Sequence, residues 1–296
     1  MTKILITGAS GFIGKNIKEY LQRAEPDYDI YTPTSRELNC IDESEVFHYL
    51  KKTPFDYILH FASYGDSIDA SRDRTKILEF NMRIFLNFYK NSHLFGKMYY
   101  SGSGAEYNKQ YDISNVSEDS PIRNLPVDQY GLMKYTIGQL IEKSDNIYNF
   151  RLFGIFGKYE YYPIKFISNI CCKAIKNLPL TMRQNVWFDY LWIDDFCRII
   201  QYFLKHEPKY HTYNTVSGTR ISLEEICQQV LNVSGKQLPV YICKKGLAKE
   251  YTASNKRLIS EIKPFEYTPV ETSVRQLYHW YEEHENEIDV YKLLYP

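Results

Sequence analysis

Tyr130 and Lys134 stand four apart in Tyr130-Gly131-Leu132-Met133-Lys134, within a segment whose apolar spacing predicts a helix over Val127–Ile141. On a helix, positions four apart share a face. A phenol with an ordinary pKa of ~10 exchanges protons poorly at neutral pH. A neighbouring ammonium favours the phenolate and brings the group towards its working range. Such a pair can pass a proton to or from an oxygen while a hydride moves at the adjacent carbon. The spacing alone is cheap, because the chain has 28 tyrosines and Tyr241 and Lys245 repeat it. Context distinguishes Tyr130. The apolar strand Lys97–Tyr100 runs into Ser101-Gly102-Ser103-Gly104-Ala105-Glu106-Tyr107. Ligand crevices in doubly wound sheets lie at the carboxyl ends of strands, which is where Ser103 falls. A hydroxyl there can hold the same oxygen that Tyr130 protonates.

A second signature opens the chain. Strand Lys3–Ile6 leads into Thr7-Gly8-Ala9-Ser10-Gly11-Phe12-Ile13-Gly14 and then into a predicted helix, Gly11–Leu21. Gly8 permits a tight turn, Gly11 lets backbone amides approach a pyrophosphate, and Gly14 lets helix and strand pack closely. The helix start offers unpaired N–H groups and a positive dipole end to phosphates.

The second strand, Asp29–Tyr31, continues into Thr32-Pro33-Thr34-Ser35-Arg36. Dinucleotide sites that take NAD usually present a carboxylate to the ribose at this point. A hydroxyl at Ser35 and a guanidinium at Arg36 suit a 2′-phosphate instead, because Arg pairs with it and an acid would repel it. NADP(H) is therefore the expected cofactor, with NAD(H) the alternative.

These residues need a scaffold, and the pattern supplies one. Helices are expected at Glu43–Leu50 and Lys76–Tyr89, and strands at Phe55–His60 and Ile147–Leu152. Strand–helix alternation of this kind implies βαβ crossovers, hence an α/β, doubly wound parallel sheet of Rossmann type. After Phe156 the pattern loosens. Residues 157–185 and 217–296 read as a smaller, mainly helical, substrate-facing subdomain. Residues 186–216, with a helix at Ile193–Leu204, rejoin the dinucleotide-binding domain of residues 1–156.

Composition excludes several classes. The 296 residues hold 36 Lys plus Arg against 36 Asp plus Glu, so no positive field marks a binder of nucleic acid or anionic membrane. No apolar run approaches the roughly 18 residues that span a bilayer. The start is too brief for a signal peptide, so a cytoplasmic protein is expected. The six cysteines form no CxxC pair and read as reduced core residues, not as disulfides or a metal site.

Together these motifs resemble the extended short-chain dehydrogenase/reductase family of nucleotide-sugar epimerases, dehydratases and reductases. The resemblance runs through TGASGFIG at Thr7–Gly14, FDYILHFAS at Phe55–Ser63, Asn81, and SGSGAEY at Ser101–Tyr107. It continues with Tyr130 and Lys134, RLFGIFG at Arg151–Gly157, FDYLWIDD at Phe188–Asp195, and Tyr213-Asn214-Thr215. It implies a nicotinamide cofactor on the first domain, a nucleotide sugar on the second, and a homodimer. By the same resemblance Phe12 and Ile13 lie against the pyrophosphate, and Asn39 and Cys40 lie near the adenine. Phe61, Ala62 and Ser63 line the cofactor, Asn81 helps fix it, and Phe153 flanks the nicotinamide. Lys134 also bonds the nicotinamide ribose.

Departures from the family pattern narrow the reaction. Dehydratases carry an Asp-Glu pair directly after the serine or threonine, whereas here Gly104 and Ala105 have no proton to give or take. Glu106 is one place too far and would point to the other side of an extended segment. Members that epimerise carbons 3 and 5 use a Cys at the place held by Ala105. Phe188 and Gly154 replace residues that often contact the diphosphate, which leaves Lys165 and Arg183 as candidates, with Ser103, Gly104 and Tyr130 at the sugar. The expected activity is NADPH-dependent reduction of a 4-keto-6-deoxy nucleotide sugar. A 4-epimerase holding NAD is the alternative, and a non-catalytic NADP-sensing protein is the alternative of another class.

Overall fold

The computed structural model describes residues 1–65, 73–122 and 124–295. Strands β1 to β6 are Lys3–Thr7, Asp29–Tyr31, Phe55–His60, Phe95–Ser103, Ile113–Val116 and Ile147–Leu152. Strands β7 to β10 are Gly154–Phe156, Leu180–Asn185, Trp187–Trp192 and Thr212–Thr215; β11 to β13 are Arg220–Ser222, Val240–Leu247 and Tyr251–Ala253. Helices α1 to α5 are Phe12–Ala24, Glu43–Lys52, Ile77–Tyr89, Gln129–Ile141 and Phe166–Ile175. Helices α6 to α10 are Ile193–Phe203, Leu223–Ser234, Lys256–Ile262, Val270–Glu283 and Val290–Leu294.

Six strands make one parallel sheet in the order β10-β6-β4-β3-β1-β2. Successive side chains on a strand face opposite sides, so an apolar run buried on both faces feeds two cores. Ile4 and Ile6 join Leu59, Tyr99 and Phe150 beneath α1 and α6. Leu5 joins Ile58, Met98 and Ile147 beneath α2, α3 and α4. This is the doubly wound architecture that the alternation implies.

A second sheet, β11-β9-β13-β5 with β7 on β9, stands beside the first. Strands β8 and β12 form a separate parallel pair, with β12 almost wholly exposed. The last third is mostly helical, and it contributes three strands that periodicity does not show. Strand β9 pairs within the second sheet, whereas α6 packs on α1 and β10 closes the first sheet beside β6. Cys171, Cys172, Cys197 and Cys227 are buried thiols; Cys243 is exposed on β12 and departs from the core reading. Among the described residues no helix is long and apolar enough to cross a membrane.

Candidate active site

The glycine turn has the shape its spacing requires. Gly8 adopts φ +70°, and a Cβ there would lie 2.7 Å from the Ala62 amide nitrogen and the Phe61 carbonyl carbon. A Cβ on Gly14 would sit 2.3 Å from the Gly8 carbonyl oxygen. The turn is therefore pressed against the Phe61–Ala62 loop at the end of β3. The Thr7 hydroxyl, 3.0 Å from His60 Nδ1, also accepts from the Ala62 amide at 3.3 Å. Burial drives His60 down to about 3, so the imidazole is neutral and serves as a structural strut. No side chain caps the start of α1 at Gly11, which leaves its first-turn amides for an anion. These features fit the pyrophosphate of a dinucleotide.

Asn81 is held by backbone groups on both sides of it. Its Oδ1 accepts from the Tyr64 amide, and its Nδ2 donates to the carbonyls of Tyr64 and Ile77, each at 2.8 Å. The amide is committed to shaping the Phe61–Gly65 loop, on which Ser63 is exposed. Beyond β2, the Thr34 turn carries an acid after all. Glu37 folds back to accept from the Thr34 amide at 2.7 Å and its hydroxyl at 2.9 Å, and that backbone bond holds its carboxyl below the usual range. Its charge is satisfied inside the turn, while Ser35 and Arg36 remain exposed. Asn39 closes the following turn by accepting from the Ile41 amide at 3.2 Å. Cys40 is half-buried, and burial pushes its thiol up to about 12.

At the reaction end, Asp128 caps α4 by accepting from the Gly131 amide at 2.8 Å, which sets the first turn carrying Tyr130. Lys134, one turn on and buried, donates to the Ser101 carbonyl at 2.6 Å and the Tyr100 hydroxyl at 2.9 Å. Its ammonium lies 5.7 Å from the centre of the Tyr130 ring. The shared face read from the spacing is thus present, and Lys134 ties it to the end of β4. Ser103 closes β4, accepting from the Ala105 amide at 3.1 Å. The turn Gly104–Glu106 packs on α4 so closely that a Cβ on Gly131 would lie 2.9 Å from the Ala105 carbonyl. That packing sets the turn after Ser103 against the first turn of α4, whose Tyr130 is 42% exposed.

Two residues that pattern reading did not single out join this group. Tyr251, on β13, packs its ring 4.9 Å from Phe153, and its hydroxyl lies 2.6 Å from where a Cβ on Gly104 would stand. Lys109 places its ammonium 5.0 Å over the Tyr251 ring. Burial lowers the Lys109 pKa, Asp128 opposes this, and Lys165 lowers it further. The only available signal for Lys109 was its place two residues after the Ser103 motif. Tyr251 had none among so many tyrosines. Arg183 is exposed on β8, which pairs with β12.

Glu106 is fully buried, and it lies on the tight helical turn Gly104–Glu106, not on the extended segment expected of it. It accepts from Arg151 Nε at 2.6 Å and from Asn149 Nδ2 at 2.9 Å. A Cβ on Gly138 would lie 2.5 Å from its Oε2, so the carboxylate also props α4. Among the described residues no group of three or more His, Cys, Asp or Glu could hold a metal.

The sequence model of the NAD-dependent epimerase/dehydratase family matches residues 4–215. The chain is 25% identical over 284 residues to GDP-L-colitose synthase of Yersinia pseudotuberculosis, covering 88% of this chain and 91% of that protein. It is 25% identical over 250 residues to GDP-6-deoxy-D-talose 4-dehydrogenase of Aggregatibacter actinomycetemcomitans, covering 80% and 82%. The fold superposes on GDP-mannoheptose C4 reductase of Campylobacter jejuni, solved with NADP bound, at a TM-score of 0.80 and 17% identity, covering 95% and 98%.

Proposed function

The chain belongs to the NAD-dependent epimerase/dehydratase family, and from that premise we propose that it is an NADPH-dependent reductase of a 4-keto nucleotide sugar. The observation that carries this reading is the environment of Gly104. A Cβ there would lie 2.6 Å from both the Tyr251 hydroxyl and Phe153 Cδ1. The space in which a dehydratase keeps its first carboxylate is taken by a phenol and a ring. What remains beside Ser103, Tyr130 and Lys134 is machinery for one proton, which is what carbonyl reduction needs. The relatives named for redox chemistry at carbon 4 support the same choice.

A nicotinamide cofactor, when bound, supplies the hydride that the carbonyl carbon accepts. Tyr130 gives its proton to the carbonyl oxygen, and the ketone becomes a secondary alcohol. Lys134 favours the phenolate that this leaves by opposite charge. The Ser103 hydroxyl steadies the developing negative charge on the same oxygen. Gly8, Gly11, Phe12 and Ile13 hold the diphosphate of the cofactor, Phe61 to Ser63 line it, Asn39 and Cys40 border the adenine, and Phe153 flanks the ring. Lys165, with Lys109, serves the sugar end. Supplied with 4-keto nucleotide sugars, the protein is expected to oxidise one NADPH per product formed. A preparation that holds NAD and interconverts hexoses without added reductant would reverse the assignment to epimerase.

Arg36 carries the preference between cofactors. Because Glu37 is occupied by Thr34, the exposed guanidinium is the charge that a 2′-phosphate meets. Arg36→Ala is expected to weaken NADPH binding about 10–100-fold, the worth of a charge-assisted hydrogen bond, and to leave NADH binding nearly unchanged. Fluorescence titration of both cofactors checks this, and equal losses for the two would remove the 2′-phosphate contact.

A further inference from the structure

Resting on that reading, we propose that Tyr100 is a positioning residue: with the Ser101 carbonyl, its hydroxyl holds the Lys134 ammonium beside Tyr130. An ammonium carries three N–H donors on a flexible four-carbon stem. Two of the Lys134 donors are committed, one to the Ser101 carbonyl at 2.6 Å and one to the Tyr100 hydroxyl at 2.9 Å. Both acceptors belong to β4, the strand that ends at Ser103. Two fixed acceptors set the place of the charge and the direction of the third donor. Lys134 is 6% exposed, and its ammonium lies 4.4 Å from the centre of the Tyr100 ring and 5.7 Å from that of Tyr130. An ammonium so buried needs such partners, because desolvation otherwise favours its neutral form.

The Tyr100 ring is itself fixed. Phe85 meets it edge-on at 5.4 Å, and the neutral His60 stacks on it at 6.0 Å. The Tyr100 hydroxyl donates its own proton towards Met133 Sδ at 4.0 Å, which leaves its oxygen lobes to accept from Lys134. Burial drives this phenol well above its ordinary value, and Tyr130 and Glu106 raise it further. Tyr100 therefore keeps its proton and presents a neutral oxygen. A neutral acceptor fixes the ammonium without cancelling its charge, which stays available to the Tyr130 phenolate. The two tyrosines divide the work through one lysine: Tyr130 exchanges a proton, and Tyr100 places the charge that eases the exchange.

The test reads the Tyr130 phenol directly, as the ultraviolet tyrosinate absorbance of each full-length protein minus that of the same protein carrying Tyr130→Phe. Tyr100→Phe keeps the ring between Phe85 and His60 and removes the oxygen. It is expected to move the Tyr130 titration about one pH unit upward, the worth of one hydrogen bond, because the loosened ammonium favours the phenolate less. With NADPH and a turned-over keto sugar, kcat should fall about tenfold, and the alkaline limb of its pH profile, where Tyr130 loses its proton, should move the same way. In a Lys134→Met background, Tyr100→Phe should move neither titration nor kcat, because Tyr100 acts through Lys134. The other ionisable groups around the pair, Asp128, His60, Glu106 and Tyr251, are the same in every protein compared. A titration unmoved by Tyr100→Phe, or one that moves equally without Lys134, overturns the role given to Tyr100 and leaves the reductase standing. A wild-type protein inert with every keto sugar overturns the reductase, and the titration, which needs no substrate, still decides for or against Tyr100.

Discussion

Tyr130→Phe is expected to lower kcat by about 10²–10⁴-fold, the usual contribution of a positioned acid, while NADPH binds almost as tightly as before. The ring lies on the outer face of the first turn of α4, 42% exposed, so removing one oxygen opens no cavity and breaks no packing. What is lost is the proton donor beside the Lys134 ammonium, 5.7 Å from the ring centre. Stopped-flow fluorescence gives the NADPH affinity, and steady-state oxidation of NADPH gives kcat. Turnover undiminished in Tyr130→Phe would take the catalytic role from this phenol and end the proposed mechanism.

Glu106→Ala is expected to cost about 3–5 kcal/mol of folding stability, the range for breaking a buried ion pair by removing one partner. The carboxylate is wholly buried and accepts from both Arg151 and Asn149. Its loss strands the Arg151 guanidinium, itself 4% exposed, in the interior. The same carboxylate props α4 at Gly138, so activity should fall together with stability. Urea unfolding measures the change. A loss under about 1 kcal/mol, as for an exposed pair, would show that the brace is not what holds Ser103 against α4.

Sequence and structure agree most closely along three strands of the parallel sheet. Strands β2, β3 and β6 have the bounds their composition predicts, Asp29–Tyr31, Phe55–His60 and Ile147–Leu152. Strand β4 does not. Its apolar run ends at Tyr100, but pairing with β6 extends the strand through Gly102 to Ser103, opposite Arg151 and Leu152. Neighbouring strands impose extended backbone on residues with little preference for it. The pair β8–β12 was hidden for another reason: β12 is exposed on both faces, so its residues do not alternate.

The candidate site divides in a similar way. Residues bound to a local motif are legible: the glycines by their positions in a turn, and Tyr130 with Lys134 by helical spacing. The hydrogen bonds of Asn81 to Tyr64 could not be read from a helix pattern. Glu37 escaped because its effect depends on folding back three residues to Thr34. Tyr251 reaches Gly104 across 147 positions of chain through β13, and no local periodicity records a contact of that span.

The central claim is that this site delivers one proton and one external hydride to a ketone, and the fate of that hydride tests it most directly. With NADPH deuterated at the transferring position and a 4-keto nucleotide sugar that is turned over, the product should carry one deuterium at carbon 4 for each NADPH consumed. A product free of label, formed by protein that arrives with its own NAD and consumes none, would contradict it.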